Sequence, residues 1–166
     1  MKYFFACLIL CFSVSASSFG QEGKSVDNIL VLKSSRVLLL KHQDEIVKKY
    51  KIALGDSPVG PKECEGDEKT PEGKYVIEYH NSKSSYHLSL KISYPTTSDV
   101  EKSQEKGCSP GSFIMIHGYP NKAPNFLFDY IHQHFDWTDG CIAVTDKEIE
   151  EIYSLVQDGT PIEIKP

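Results

Sequence analysis

The 166-residue chain lacks most features that announce a function at once. Past its first twenty residues no apolar run is long enough to cross a bilayer, so a bundle of membrane helices is excluded. Lysine and arginine form no cluster or stripe; 18 basic residues stand against 23 acidic ones, a formal net charge of −5, and no nucleic-acid partner is expected. The chain has no C-x-x-C or H-E-x-x-H framework, which removes the commonest zinc sites. Internal repeats, low-complexity tracts and interdomain linkers are missing too, which leaves one domain.

What is present begins with a secretory-type N-terminus. Lys2 precedes an apolar stretch, Tyr3 to Ala16, and Ser17-Ser18-Phe19-Gly20 offers small residues for cleavage before Gln21. Residues 1–20 are therefore read as a signal peptide. Leu10 before Cys11 argues against lipoprotein processing there. The expectation is an exported chain with no stable membrane insertion after cleavage, working in the periplasm or cell envelope. Of five cysteines, Cys7 and Cys11 leave with the signal. Cys64, Cys108 and Cys141 remain, an odd number for an oxidising compartment. Cys64 and Cys108 both sit in loops rich in glycine, proline and charge and are candidates to pair. A different pairing, or three reduced thiols, stays open, because spacing does not fix connectivity.

The first half reads as antiparallel strands over 29–33, 36–41 and 46–54, broken by polar turns. Residues 55–73 form a long loop, of the kind that is functional or pinned by a crosslink. Strands follow at 74–80, at 86–94 with strict two-residue alternation, and at 113–116. A short helix is read over 125–135. A firmer one starts at Asp146, where Thr145 and Glu148 make a capping box before the stripe Ile149, Ile152, Tyr153 and Val156. Residues 160–164 close the domain as a strand. The sum is mostly β with one or two helices, a sandwich or partly closed barrel.

Two segments carry chemistry. Ile114-Met115-Ile116-His117-Gly118 places a histidine at the end of an apolar strand. Thr138-Asp139-Gly140-Cys141 leads a cysteine into Ile142-Ala143-Val144. A thiol and an imidazole at two strand ends are the parts of a nucleophile–base pair. Cys141 would be the nucleophile and His117 the general base and acid. Amides around Gly140 and Cys141 are candidates for an oxyanion hole, and the Gly118 carbonyl for orienting the other ring nitrogen. The bland alternatives are a buried structural cysteine and a satisfied strand-end histidine. A metal site built from His117, His132, His134 and Cys141 is disfavoured, since alternate residues of a helix face apart.

These residues, with Thr70-Pro71-Glu72-Gly73-Lys74-Tyr75, resemble the L,D-transpeptidase (YkuD-like) catalytic domain family. That family carries a histidine-glycine at a strand end, a Ser/Thr-x-Gly-Cys nucleophile segment and a Thr-Pro-x-Gly-x-aromatic segment before a strand. The run Asp136-Trp137-Thr138-Asp139-Gly140-Cys141-Ile142-Ala143-Val144 looks like one branch of it. The resemblance covers residues 28–166. It implies a β-sandwich of mixed strands and a cysteine acyltransferase acting on peptidoglycan stem peptides through a thioester, with no metal or organic cofactor. It also makes Trp137, Thr138 and Asp139 candidates for substrate binding. The chain departs from the pattern where Asp139 replaces a frequent histidine, where Ala143 replaces a frequent arginine, and in a longer stretch, 121–135, between the two motifs. With water as acceptor the same site would be an L,D-carboxypeptidase or amidase; without turnover, a peptidoglycan-binding module.

Overall fold

In a computed structural model, residues 25–166 are described, and the expected signal peptide lies outside them. Eight strands form one curled, mixed sheet in the order β3-β2-β1-β8-β4-β5-β6-β7. The strands are β1 (Asn28–Leu32), β2 (Val37–His42), β3 (Glu45–Lys51), β4 (Gly73–Asn81), β5 (Ser89–Ile92), β6 (Met115–His117), β7 (Ile142–Ala143) and β8 (Pro161–Lys165). Three helices complete it: α1 (Thr97–Glu105), α2 (Asn125–His134) and α3 (Asp146–Leu155).

The hairpin of β1 and β2 sets its register by alternation. Ile29 and Val31 of β1 and Leu38 and Leu40 of β2 all have no exposed surface, and each buried aliphatic side chain contributes roughly 1.5–3 kcal/mol. Ile162 and Ile164 of β8, parallel to β1, extend that face. Strand β4 belongs to both halves of the sheet. Its residues 73–76 pair with β8 and its residues 77–81 with β5, with an irregularity between Ile77 and Tyr79 of the kind that bends a strand. Past β3 the chain continues to the opposite edge. Ala53 and Ala143 exchange backbone hydrogen bonds of 3.0 and 2.8 Å, and the Trp137 and Thr138 amides both donate to Leu54 O. The sheet thereby curls back on itself and carries Cys141 on its closing seam.

Two particulars differ from the sequence reading. Among the described residues there are three helices rather than one or two. The additional one, α1, buries only Ser103, so no apolar stripe reveals it; its signal is a capping box of Thr96 and Asp99, with aspartate in place of the usual glutamate or glutamine. The alternating run 86–94 is a strand only over Ser89–Ile92, and all four of its residues are buried. Strand β5 lies between β4 and β6, and Ser89 and Lys91, on its second face, are buried as well. Lys91 satisfies its ammonium on the carbonyls of Ile92 and Tyr94 at 2.5 and 2.9 Å and on Glu78 at 3.1 Å. The stretch between the two motifs folds as α2, in the place of the short helix read over 125–135, and adds a wall to the pocket described next.

Candidate active site

Strands β6 and β7 run parallel, with Ile116 opposite Ile142 and His117 opposite Ala143. Cys141 lies two residues before Ala143, so its side chain emerges on the same face as His117, one strand across. Both line a cavity of about 620 Å³ together with Tyr86, Phe113, Trp137 and Asp139. The register thus brings the two expected catalytic side chains to one pocket.

His117 is only 4 % exposed. Its Nδ1 lies 2.7 Å from the Gly118 carbonyl oxygen. A carbonyl can only accept, so Nδ1 carries the proton and Nε2 keeps its lone pair, the tautomer a general base requires. Gly118 is held glycine by space: a Cβ there would lie 2.6 Å from Asp146 Oδ1, and that carboxylate accepts the Tyr119 amide at 2.7 Å. Tyr86 and Trp137 flank the imidazole, with ring centroids at 4.5 and 5.7 Å. Burial, the dominant cause, lowers the His117 pKa to about 4 against the weaker pull of the Gly118 carbonyl. The ring is neutral at neutral pH.

Cys141 is the single free cysteine among the described residues; Cys64 and Cys108 are joined in a disulfide, with Cα atoms 5.7 Å apart. The Cys141 thiol donates to the Phe113 carbonyl at 3.6 Å. Desolvation pushes its pKa up; the Met115 backbone, Lys62 and Lys91 act against this, and Asp139 adds to the rise. The pocket therefore holds a neutral thiol and a neutral imidazole at rest, with the thiol hydrogen-bonded to Phe113.

The turn before the cysteine is built by Thr138. Its hydroxyl donates to Cys141 O at 2.8 Å and accepts the Gly140 amide at 3.2 Å. Gly140 has φ +122°, and a Cβ there would lie 2.5 Å from Lys69 O, so only glycine fits. With its amide engaged by Thr138, Gly140 has a steric task at this point. Asp136 anchors the segment from behind: it accepts Leu54 N at 2.9 Å and the Arg36 guanidinium at 2.7–3.0 Å.

The long loop forms the opposite wall. Lys62, Glu65 and Glu68 line the cavity with Gly111, Ser112 and Phe113. Asp67 organises the loop, accepting Lys62 Nζ and the amides of Glu63, Cys64 and Lys69 at 2.7–3.1 Å. At its base Lys33, 2 % exposed, reaches Gly60 O, Thr70 O and Glu72 Oε1 at 2.5–2.8 Å.

His132 and His134 do not approach the thiol's wall of the pocket. His132 is buried with Nε2 3.2 Å from Lys51 O, and His134 packs on Tyr130 at the surface. Among the described residues no three His, Cys, Asp or Glu side chains gather where they could hold one ion, and no helix is long and apolar enough to cross a membrane. Three contributors were not anticipated as site residues. In the sequence reading Tyr86 falls in a strand, Phe113 at the start of another, and Lys62 with its neighbours in the long loop. The long loop itself was the signal for the last group.

A strand-end histidine and a seam cysteine share one pocket of a curled mixed sheet. Residues 27–164 match the model of the L,D-transpeptidase catalytic domain, and the chain belongs to that family. It is 30 % identical over 134 residues to the Escherichia coli K12 protein named "Putative L,D-transpeptidase YafK", covering 77 % of this chain and 46 % of that one. The structure is similar to that of the helical cell shape determining protein Pgp2 from Campylobacter jejuni, with TM-score 0.62, 25 % identity, and coverage of 88 % and 52 %. An L,D-transpeptidase from Mycobacterium smegmatis shares the fold, with TM-score 0.56 at 12 % identity over 86 % of this chain and 59 % of that one. The chain spans about half the length of the YafK and Pgp2 proteins it matches.

Proposed function

We propose that the protein is an exported cysteine L,D-transpeptidase of the cell envelope that acts on peptidoglycan stem peptides. The observation that carries this reading is the Nδ1–H tautomer of His117, fixed by the Gly118 carbonyl, in the same pocket as the free thiol of Cys141.

The thiol leaves the Phe113 carbonyl and gives its proton to His117 Nε2 as sulfur attacks the carbonyl carbon at the L-centre of a diaminopimelate residue. The Cys141 amide steadies the oxyanion. The carbon–nitrogen bond then breaks, His117 returns the proton to the departing D-alanine amine, and a thioester remains on Cys141. An acceptor amine attacks the thioester, its proton passes to His117, and the thiol is restored, giving a 3-3 crosslink or another amide. Trp137 and Tyr86 keep His117 desolvated, so its protonation stays brief and tied to the chemical step. Asp139, beside the thiol and on the pocket wall, faces the substrate; Thr138 holds the nucleophile's turn.

The test is incubation with disaccharide tetrapeptides, with and without an added D-amino acid, followed by mass spectrometry. Exchange products are expected, and Cys141→Ala should lower turnover at least a thousandfold with an unchanged unfolding midpoint. Products trimmed of D-alanine alone would make the enzyme an L,D-carboxypeptidase. Turnover retained in Cys141→Ala would overturn the mechanism, and no reaction by the wild type would leave a peptidoglycan-binding module.

A further inference from the structure

Phe113 stands out from every other aromatic residue of the pocket. Its backbone has φ +60°, a left-handed conformation that a bulky side chain adopts only at a cost. The residue is 65 % exposed, so burial does little to offset that cost. A residue that loses on both counts keeps its place only if its surroundings force it there.

The surroundings do so. The segment before Phe113 is fixed at successive points. Cys108 is bonded to Cys64, and Ser109 O accepts the Glu65 amide at 2.7 Å. Pro110 O accepts the Tyr94 hydroxyl at 2.8 Å. Gly111, itself at φ +72°, lies so close to Glu65 that a Cβ would approach it to 3.2 Å. On the other side Ile114 O accepts the Ile92 amide at 3.1 Å and begins the pairing with β5. Between these two fixed ends Phe113 takes the left-handed conformation. In it the carbonyl accepts the Cys141 thiol at 3.6 Å, and the exposed residue lines the pocket with Tyr86, Phe128 and Trp137.

We infer that Phe113 is a substrate-binding residue, whose ring packs on the apolar surface of the peptide next to the scissile bond. The inference rests on the peptide-acyl-transfer reading of this pocket and adds the residue that grips the peptide on the loop side. The carbonyl of Phe113 touches the reacting sulfur, so whatever covers the ring lies within one residue's reach of the bond being broken. Methyl and methylene groups of alanine and of an aliphatic diamino acid are the chemistry an exposed phenyl ring accepts. Their burial against the ring supplies the return that folding alone does not give.

The experiment measures binding of a disaccharide tetrapeptide by calorimetry in a Cys141→Ala background, which removes turnover. Adding Phe113→Gly suits the left-handed backbone and removes the ring; adding Phe113→Leu keeps an apolar side chain. Phe113→Gly is expected to weaken binding about tenfold, a change of about 1.4 kcal/mol, without lowering the urea midpoint; Phe113→Leu should stay within threefold of the parent. Equal binding by the parent and Phe113→Gly overturns the inference while leaving the proposed reaction standing. Weaker binding accompanied by a lowered midpoint makes the ring a structural brace and also overturns it. A parent that binds no peptide removes the peptide reading and this inference together.

Discussion

The two walls of the pocket are built on different principles. The loop wall, residues 60–72 with 108–113, is held by polar and covalent ties: the Cys64–Cys108 bond, the Asp67 carboxylate with its four donors, and Lys33 at the base. The aromatic wall, Tyr86, Phe128 and Trp137, is held by ring contacts at 5.2–6.5 Å, and the buried indole nitrogen of Trp137 has no hydrogen-bond partner. Directional ties fix position, and aromatic rings exclude water without fixing much. Each wall accordingly serves a different partner. The loop wall places the Phe113 carbonyl on the sulfur. The aromatic wall desolvates His117. Geometry for the proposed nucleophile and proton affinity for the proposed base are set by separate parts of the chain, and each can be disturbed alone.

The largest expected effect comes from cutting the loop wall. The disulfide closes a separation of 44 residues, which the chain-entropy model values at about 4 kcal/mol. Cys64→Ser with Cys108→Ser should therefore lower the unfolding free energy by roughly 3–4 kcal/mol in urea. The same substitutions should leave the His117 pKa where it is, because no part of that wall flanks the ring. A His117 pKa that moves in the double variant would show the two walls to be coupled.

Acid is the complementary probe. The His117 pKa is lowered to about 4 in the fold against about 6.5 in an unfolded chain. Between those values the unfolded chain binds the extra proton, so stability rises with pH across that window and is fully present above about 6.5. Going from pH 7 down to pH 4, this one group should remove about 3 kcal/mol. Urea midpoints of wild type and His117→Gln, followed over that range, measure the difference; parallel curves would show that the buried imidazole is not the source of acid sensitivity.

The sequence carried much of this where a periodic pattern or a motif was at work. Thr145 and Glu148 announced α3, and both side-chain bonds of that box are present. Short β-rich runs broken by polar turns marked β1 and β2 to within a residue. His117 and Cys141 were legible because strand ends and glycines frame them. Where the pattern has no physical carrier the reading stopped. Helix α1 has no apolar stripe, since its task is polar: Ser103 donates to Glu63 O at 2.6 Å and Lys106 pairs with Glu63, tying α1 to the loop wall. The alternation at 86–94 misled because it is also compatible with a short strand covered on both faces. Phe113 was invisible as a site residue, because a left-handed φ at a phenylalanine is imposed by contacts on either side of it and by nothing in its own identity.

The smallest expected effect tests the aromatic wall. Tyr86 lies 4.5 Å from the His117 ring, centroid to centroid, yet is itself half-exposed, so its removal admits water without emptying the core. Tyr86→Ala should raise the His117 pKa by about one unit toward its ordinary value, worth about 1.4 kcal/mol, as followed by an NMR titration of the imidazole. A base with that higher pKa is protonated over more of the acid range, so the acid limb of turnover should move up by the same amount. The acid loss of stability should shrink correspondingly, because the gap between folded and unfolded pKa narrows. Cys141 alkylation by iodoacetamide should keep its dependence on pH, since the thiol's own surroundings lie on the other wall. If the His117 pKa does not move, the sheet floor and Trp137 provide the desolvation and Tyr86 merely covers it; if the thiol's profile moves as well, the division of labour between the walls is wrong.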